Sequence, residues 1–129
     1  MSMAFDIFLQ PLADGEASRA DAVATRELVD SHMVDANQGW ARLKTADGSA
    51  DLYGYDDLGS GFMVNHATGN AIWDLLVAFA SAGPFAILPV GGPTCVTDSS
   101  LVTQLPSELT GEVVVVSSGS DLLRVISSS

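Results

Sequence analysis

Trp40-Ala41-Arg42-Leu43-Lys44-Thr45-Ala46-Asp47-Gly48-Ser49-Ala50-Asp51-Leu52-Tyr53-Gly54-Tyr55 is the stretch that decides the fold. Its first half alternates Trp40, Arg42 and Lys44 against Ala41, Leu43 and Thr45, the period-two pattern of a half-buried strand. Asp47-Gly48 is a hairpin signal, because both residue types accept the backbone of a tight turn. The return strand sets Ala50, Leu52 and Gly54 on one side and Asp51, Tyr53 and Tyr55 on the other. Beyond a loop over 56–61, Phe62-Met63-Val64-Asn65-His66 reads as a third strand with Phe62, Val64 and His66 on one face. Connections this short make the three strands an antiparallel meander.

Toward the C-terminus, residues 70–82 carry Ile72, Leu75, Leu76, Phe79 and Ala80 at helical spacing, with Trp73 and Val77 widening the apolar arc. Thr68 or Asn70 is the expected cap, and Gly83-Pro84 the stop. Residues 85–90 are apolar without alternation, which suits a strand buried on both faces. Gly91-Gly92-Pro93 breaks it. Asp98 is placed to cap a short helix that Pro106 ends. Residues 112–116 form a second continuous β-branched run, so the two buried strands with the helix between them predict a parallel βαβ unit. Ser120 or Asp121 opens a last helix.

Toward the N-terminus, residues 5–9 read as a strand and Asp14-Gly15-Glu16 as a turn. Ser18 with Asp21 resembles a capping box and predicts a helix from there to about Met33, with Leu28, Val29, His32 and Met33 inward. The resulting expectation is one domain over residues 1–129. It is α/β (α+β), with a mixed sheet of about five or six strands, meander plus βαβ unit, flanked by helices.

Composition agrees with a single core: 129 residues, 47% hydrophobic and 16% charged. No segment approaches the roughly 20 apolar residues of a membrane span. The first residues lack a basic region, so no signal peptide is expected. One cysteine, Cys95, leaves no intramolecular disulfide or multi-cysteine zinc site. Together these point to the cytoplasm. Sixteen acidic against five basic residues give a net charge of −11. Nucleic acid and anionic membranes are disfavoured as partners, because both demand cations. A basic protein is attracted over long range, while solubility alone is the plainer use of the same charge.

Few residues offer chemistry. His66 and Asn65 end a strand just before the main helix, where ligands often bind, and a neutral imidazole is a general base near pH 7. Set against this, a histidine at a sheet edge is usually a hydrogen-bonding packing residue. Cys95 follows a strand near a short helix, a setting that can activate a thiol, although lone cysteines are usually small buried apolar residues. Gly91-Gly92-Pro93 lacks the lysine and spacing of a phosphate loop. Asp47, Asp51, Asp56 and Asp57 lack the calcium-loop spacing, and His32 with His66 fits no zinc motif, so neither a metal nor a cofactor is expected. The candidate binding face is Trp40, Asp51, Tyr53, Tyr55, Asp56 and Asp57, since Tyr and Trp give rigid contact area beside acids. An ordinary solvated sheet face is the alternative.

Asp51-Leu52-Tyr53-Gly54, residues 61–66, Ile72-Trp73-Asp74, residues 87–91 and residues 93–97 resemble stretches of a group of small bacterial proteins from high-GC lineages, of unknown activity. The resemblance implies a free-standing bacterial domain and carries over no functional residue. Three functions stand as expectations. The first is a non-enzymatic protein-binding domain, such as an immunity-type inhibitor of a basic toxin domain. The second is a small enzyme or ligand-binding domain using His66, Asn65 and Cys95. The third is an oligomerising domain with Trp73 and Val77 at the interface.

Overall fold

A computed structural model describes the backbone of Ser2 and Met3 and all of residues 6–127. Phe5, the start of the first predicted strand, and Ser128-Ser129 lie outside the described residues. The fold is mixed α and β around one large sheet. Its strands are β1 (Ile7–Gln10), β2 (Met33–Asn37), β3 (Trp40–Lys44), β4 (Ser49–Tyr53), β5 (Phe62–Asn65), β6 (Ala86–Pro89), β7 (Thr94–Val96) and β8 (Val113–Val115). The helices are α1 (Val23–His32), α2 (Ala71–Ala82) and α3 (Gly119–Ser127). The spatial order is β8-β7-β6-β1-β5-β4-β3-β2. Every neighbouring pair is antiparallel except β7 with β8.

The sheet has eight strands, not five or six. Two are additions to the sequence reading. The chain leaves α1 at Met33 in extended backbone and runs on as β2. A two-residue turn at Gln38 (φ 40°) and Gly39 (φ 82°) then returns it, with Asn37 opposite Trp40. Positive φ at both central residues matches the right-handed twist of the flanking strands. The second addition, β7, is only three residues long and sits where a loop is expected. It also corrects the crossover. The parallel pair is β7 with β8, joined by 3-10 turns at Ser99–Gln104 and Ser107–Leu109, and β6 runs antiparallel to β7.

The other corrections are local. α1 begins at Val23 rather than Ser18, with the Asp21 carboxylate accepting from the Val23 amide. The Asn70 side chain makes no cap on α2. Instead Asp47, from the β3–β4 loop, accepts from the amides of Asn70 (2.9 Å) and Ala71 (3.1 Å). Gly48 beside it has no room for a side chain, since an added β-carbon would meet the Thr68 carbonyl. β8 is not buried on both faces: Val115 is 49% exposed.

All three helices cover one face of the sheet. Ile7, Leu9, Ala41, Leu43, Ala50, Leu52, Phe62, Val64 and Ile87 point into that layer and are buried. Trp73 and Val77, which only the oligomerising alternative set at a subunit interface, are buried too, because α3 packs beside α2. Phe62 meets Phe79 and Phe85 edge to face at 6.0 and 5.3 Å. The opposite face is only partly covered. Over β6–β8 the 3-10 turns close a second small core around Ala86, Val96 and Leu105. Over β1 to β5 most outer positions remain accessible, Phe8 and Tyr53 foremost, with Asp51 the buried exception.

Candidate functional site

Cross-strand register builds the open face. Leu88, Phe8, Met63, Tyr53, Trp40 and Asn37 are successive partners on six adjacent strands. Strands lie about 4.8 Å apart, so Phe8 to Trp40 spans about 14 Å. Phe8 is 44% and Tyr53 40% exposed, while Trp40 and Met63 are half-buried. An apolar strip on solvated backbone is unusual, because strands facing water normally alternate to polar residues on that side.

A polar row runs alongside. Asn65 lies opposite Asp51, Asp51 opposite Arg42, and Arg42 opposite Asp35. Asp51 is 8% exposed and sits at the centre. One carboxylate oxygen meets His66 Nδ1 at 2.8 Å and the other accepts from Arg42 Nε at 3.1 Å. Burial pushes the Asp51 carboxyl up. The His66 hydrogen bond, the Arg42 charge and hydrogen bond, and the Trp40 indole more than offset it, leaving the group below its ordinary value. The Arg42 guanidinium also lies 5.6 Å from the Trp40 ring centre, a cation–π contact that ties the two rows together. Asn65 donates to Asp6 at 3.2 Å, and its buried Oδ1 takes no hydrogen bond among the described residues.

His66 holds a left-handed backbone (φ 54°), which non-glycine residues adopt at a cost. That turn lets an imidazole past the end of β5 reach Asp51 on the outer face. With the proton on Nδ1 facing the carboxylate, Nε2 is left as an acceptor toward solvent. The pair can orient an imidazole to take a hydrogen bond or a proton from a molecule lying on the face.

Of the predicted binding set, Trp40, Asp51 and Tyr53 share this face. Tyr55, Asp56 and Asp57 do not join them. Gly54 (φ 102°) bends the chain out of β4 into a 3-10 segment, Tyr55–Ser60. The Tyr55 hydroxyl donates to Asp30 of α1 at 2.8 Å, and the Arg26 guanidinium lies 4.3 Å above its ring centre. Asp57 forms a two-pronged pair with Arg19 at 2.7 and 3.0 Å. The Asp56 carboxylate lies 3.5 Å from where a β-carbon on Gly39 would stand.

Cys95 points into the helix-covered core, fully buried, three strands from β5. Burial raises its thiol to about 11, which keeps it protonated and a poor nucleophile. It therefore shares no site with His66 and Asn65. Phe8, Met63 and Arg42 are the site residues that sequence reasoning missed. Phe8 carried a signal, since alternation with Ile7 and Leu9 turns it outward.

A cleft of about 500 Å³ lies at the starts of β7 and β8, between the Gly91–Thr94 loop and the Glu108–Glu112 segment, away from the open face. Among the described residues, no three His, Cys, Asp or Glu side chains gather to hold a metal ion, and no helix is long and apolar enough to cross a membrane. Comparisons with protein-family models, curated proteins and solved structures return no match to this chain.

The acidic residues are largely occupied within the fold. Asp47 and Asp98 accept from amides at the starts of α2 and of the Ser99–Gln104 turn, Asp121 accepts from Ser117, and Asp57 holds Arg19. Hydrogen bonds to Asn70, Ser100, Ser117 and Arg19 respectively hold these carboxyls below the ordinary range. A carboxyl whose folded pKa is depressed stabilises the fold above its unfolded pKa of about 4, and that contribution disappears as pH falls through the folded value. Urea unfolding should therefore give near-constant stability from pH 7 to about 5 and a steep loss below about pH 4. A stability rising from pH 5 to 3 would contradict this assignment.

Proposed function

We propose that this chain is a protein-binding domain whose partner seats on the open face of β1 to β5. The observation that carries the reading is the row Phe8, Met63, Tyr53 and Trp40, exposed at Phe8 and Tyr53 and half-buried at Met63 and Trp40, set beside the pinned Asp51–His66–Arg42 centre. Aromatic residues, methionine and arginine are the side chains that interface centres favour. They stand here on strands, so the backbone beneath them needs no ordering when they are covered. The −11 charge favours a basic partner through its summed field, although Asp47 and Asp98 are engaged at helix starts and Asp57 with Arg19. Inhibition of a basic toxin domain, as by an immunity protein, is the specific role this charge favours.

The test is affinity capture from cells that express the protein, using wild type and a Phe8→Ala/Tyr53→Ala variant. Both side chains are substantially exposed, so the double variant keeps its fold. We expect a basic protein retained at about 50 mM salt and released at about 300 mM. The variant should bind it at least about tenfold more weakly, a loss of about 1.4 kcal/mol or more. A partner held equally by wild type and variant would sink the proposal.

A further inference from the structure

We propose that the β8 edge of the sheet pairs with the β8 edge of a second copy of this chain, making one continuous sheet across a two-fold axis. The two outer strands differ in how they are guarded. β2 carries a register shift between Met33 and Asp35 and an exposed charge, both of which obstruct strand addition. β8 is Val113-Val114-Val115, with no charge, proline or bulge inside it.

Its hydrogen-bonding groups have a definite direction. The Thr94 amide donates to the Glu112 carbonyl, and the Val116 amide to the Val96 carbonyl, with Cys95 opposite Val114. In a parallel ladder of this phase, Val114 turns its amide and carbonyl toward β7, and Val113 and Val115 turn theirs outward. Among the described residues, neither backbone has a partner on that side. Unpaired strand edges of this kind are templates for another strand.

The sequence favours a second copy as the occupant. An antiparallel two-fold centred on Val114 sets Val113 opposite Val115 of the second copy, and the reverse, closing four N–H···O bonds. Every facing pair in that ladder is valine against valine, the β-branched combination that packs well across strands. Glu112 falls opposite Val116 of the second copy, so no carboxylate faces its own image. The contact is small, which places the dimer in the weak class. Two chains of −11 also repel, so association should strengthen as salt screens them. Binding of a basic partner to the open face has the opposite salt dependence, and the two readings are independent.

Sedimentation velocity on the whole chain tests this, at concentrations up to about 0.5 mM, in about 20 mM and about 500 mM sodium chloride, where the screening length falls from about 20 Å to about 4 Å. We expect a concentration-dependent dimer that is favoured at the higher salt. Val115→Pro should leave a monomer with an unchanged circular dichroism spectrum, because the lost amide faces outward and proline is tolerated on an edge. Val115→Lys is the second variant, and should also be monomeric. Wild type remaining monomeric at the highest concentration in both salts would overturn the proposal. So would dimers of both variants matching wild type, or a dimer lost through Tyr53→Ala but kept by Val115→Pro.

Discussion

Phe79→Ala should lower the free energy of unfolding by about 3–5 kcal/mol, the range for emptying an aromatic site in a packed core. Phe79 is fully buried on α2 and stands edge-on to Phe62, which in turn stands edge-on to Phe85. Removing the ring takes away the surface that joins α2 to Phe62 of β5. The backbone carbonyl of Phe79, which accepts from Thr25 of α1, survives the change and limits collapse into the void. Urea unfolding should show a lower midpoint with an unchanged slope. Domains of this size hold only about 5–15 kcal/mol in total, so the variant should be partly unfolded near physiological temperature. Phe8→Ala, on the open face, should cost less than about 1 kcal/mol. Equal losses at the two positions would mean that the helix-covered layer is not the principal core.

Gly119→Ala is the second large effect. An added β-carbon there would meet the Asp74 amide, and would lie 2.6 Å from the Trp73 carbonyl carbon. Both obstacles are backbone of the first turn of α2, which cannot give way as a flexible side chain can. The Gly119 amide also donates to the Asp74 carboxylate at 2.8 Å, so the start of α3 would lose its anchor as it withdrew. We expect a loss of about 3 kcal/mol, the upper end for forced overpacking, and a fall in Tm of about 10 °C or more. Gly111→Ala is the matched control. Nothing lies within 4 Å of a β-carbon there, and the change should be neutral or slightly stabilising. A Gly119→Ala protein as stable as wild type would show that α3 does not sit against α2 this closely.

The elements legible in the sequence were those with strong period and length. The meander over β3, β4 and β5 followed from alternation, and α2 from its apolar spacing. What escaped was set by contacts remote in the chain. Thr94-Cys95-Val96 is too short to show a period, and becomes a strand only because β6 and β8 flank it. Met33 continues the α1 pattern in sequence, yet is drawn into β2 by pairing with Leu43. The site suffered from the same limit. A two-residue turn at Asp47-Gly48 would place Arg42 opposite Tyr53. The loop in fact takes four residues, 45–48, with Lys44 opposite Ser49, and this moves Arg42 to Asp51. His66 was expected on the same face as Phe62 and Val64; its left-handed backbone instead gives it Asp51 as a partner. Trp40, Asp51 and Tyr53 came together as alternation implied, whereas Tyr55 was carried off by the bend at Gly54.

The Asp47 carboxylate closes the first turn of a helix 23 residues further along the chain. Surface turns are ordinarily where homologous chains gain or lose residues without penalty. Here one added residue between Thr45 and Ser49 would swing the carboxylate off the Asn70 and Ala71 amides and lift Gly48 from the Thr68 backbone. The loop's length, more than the chemistry of its tip, is thus what descent must hold constant, and grafts or tags belong at other turns.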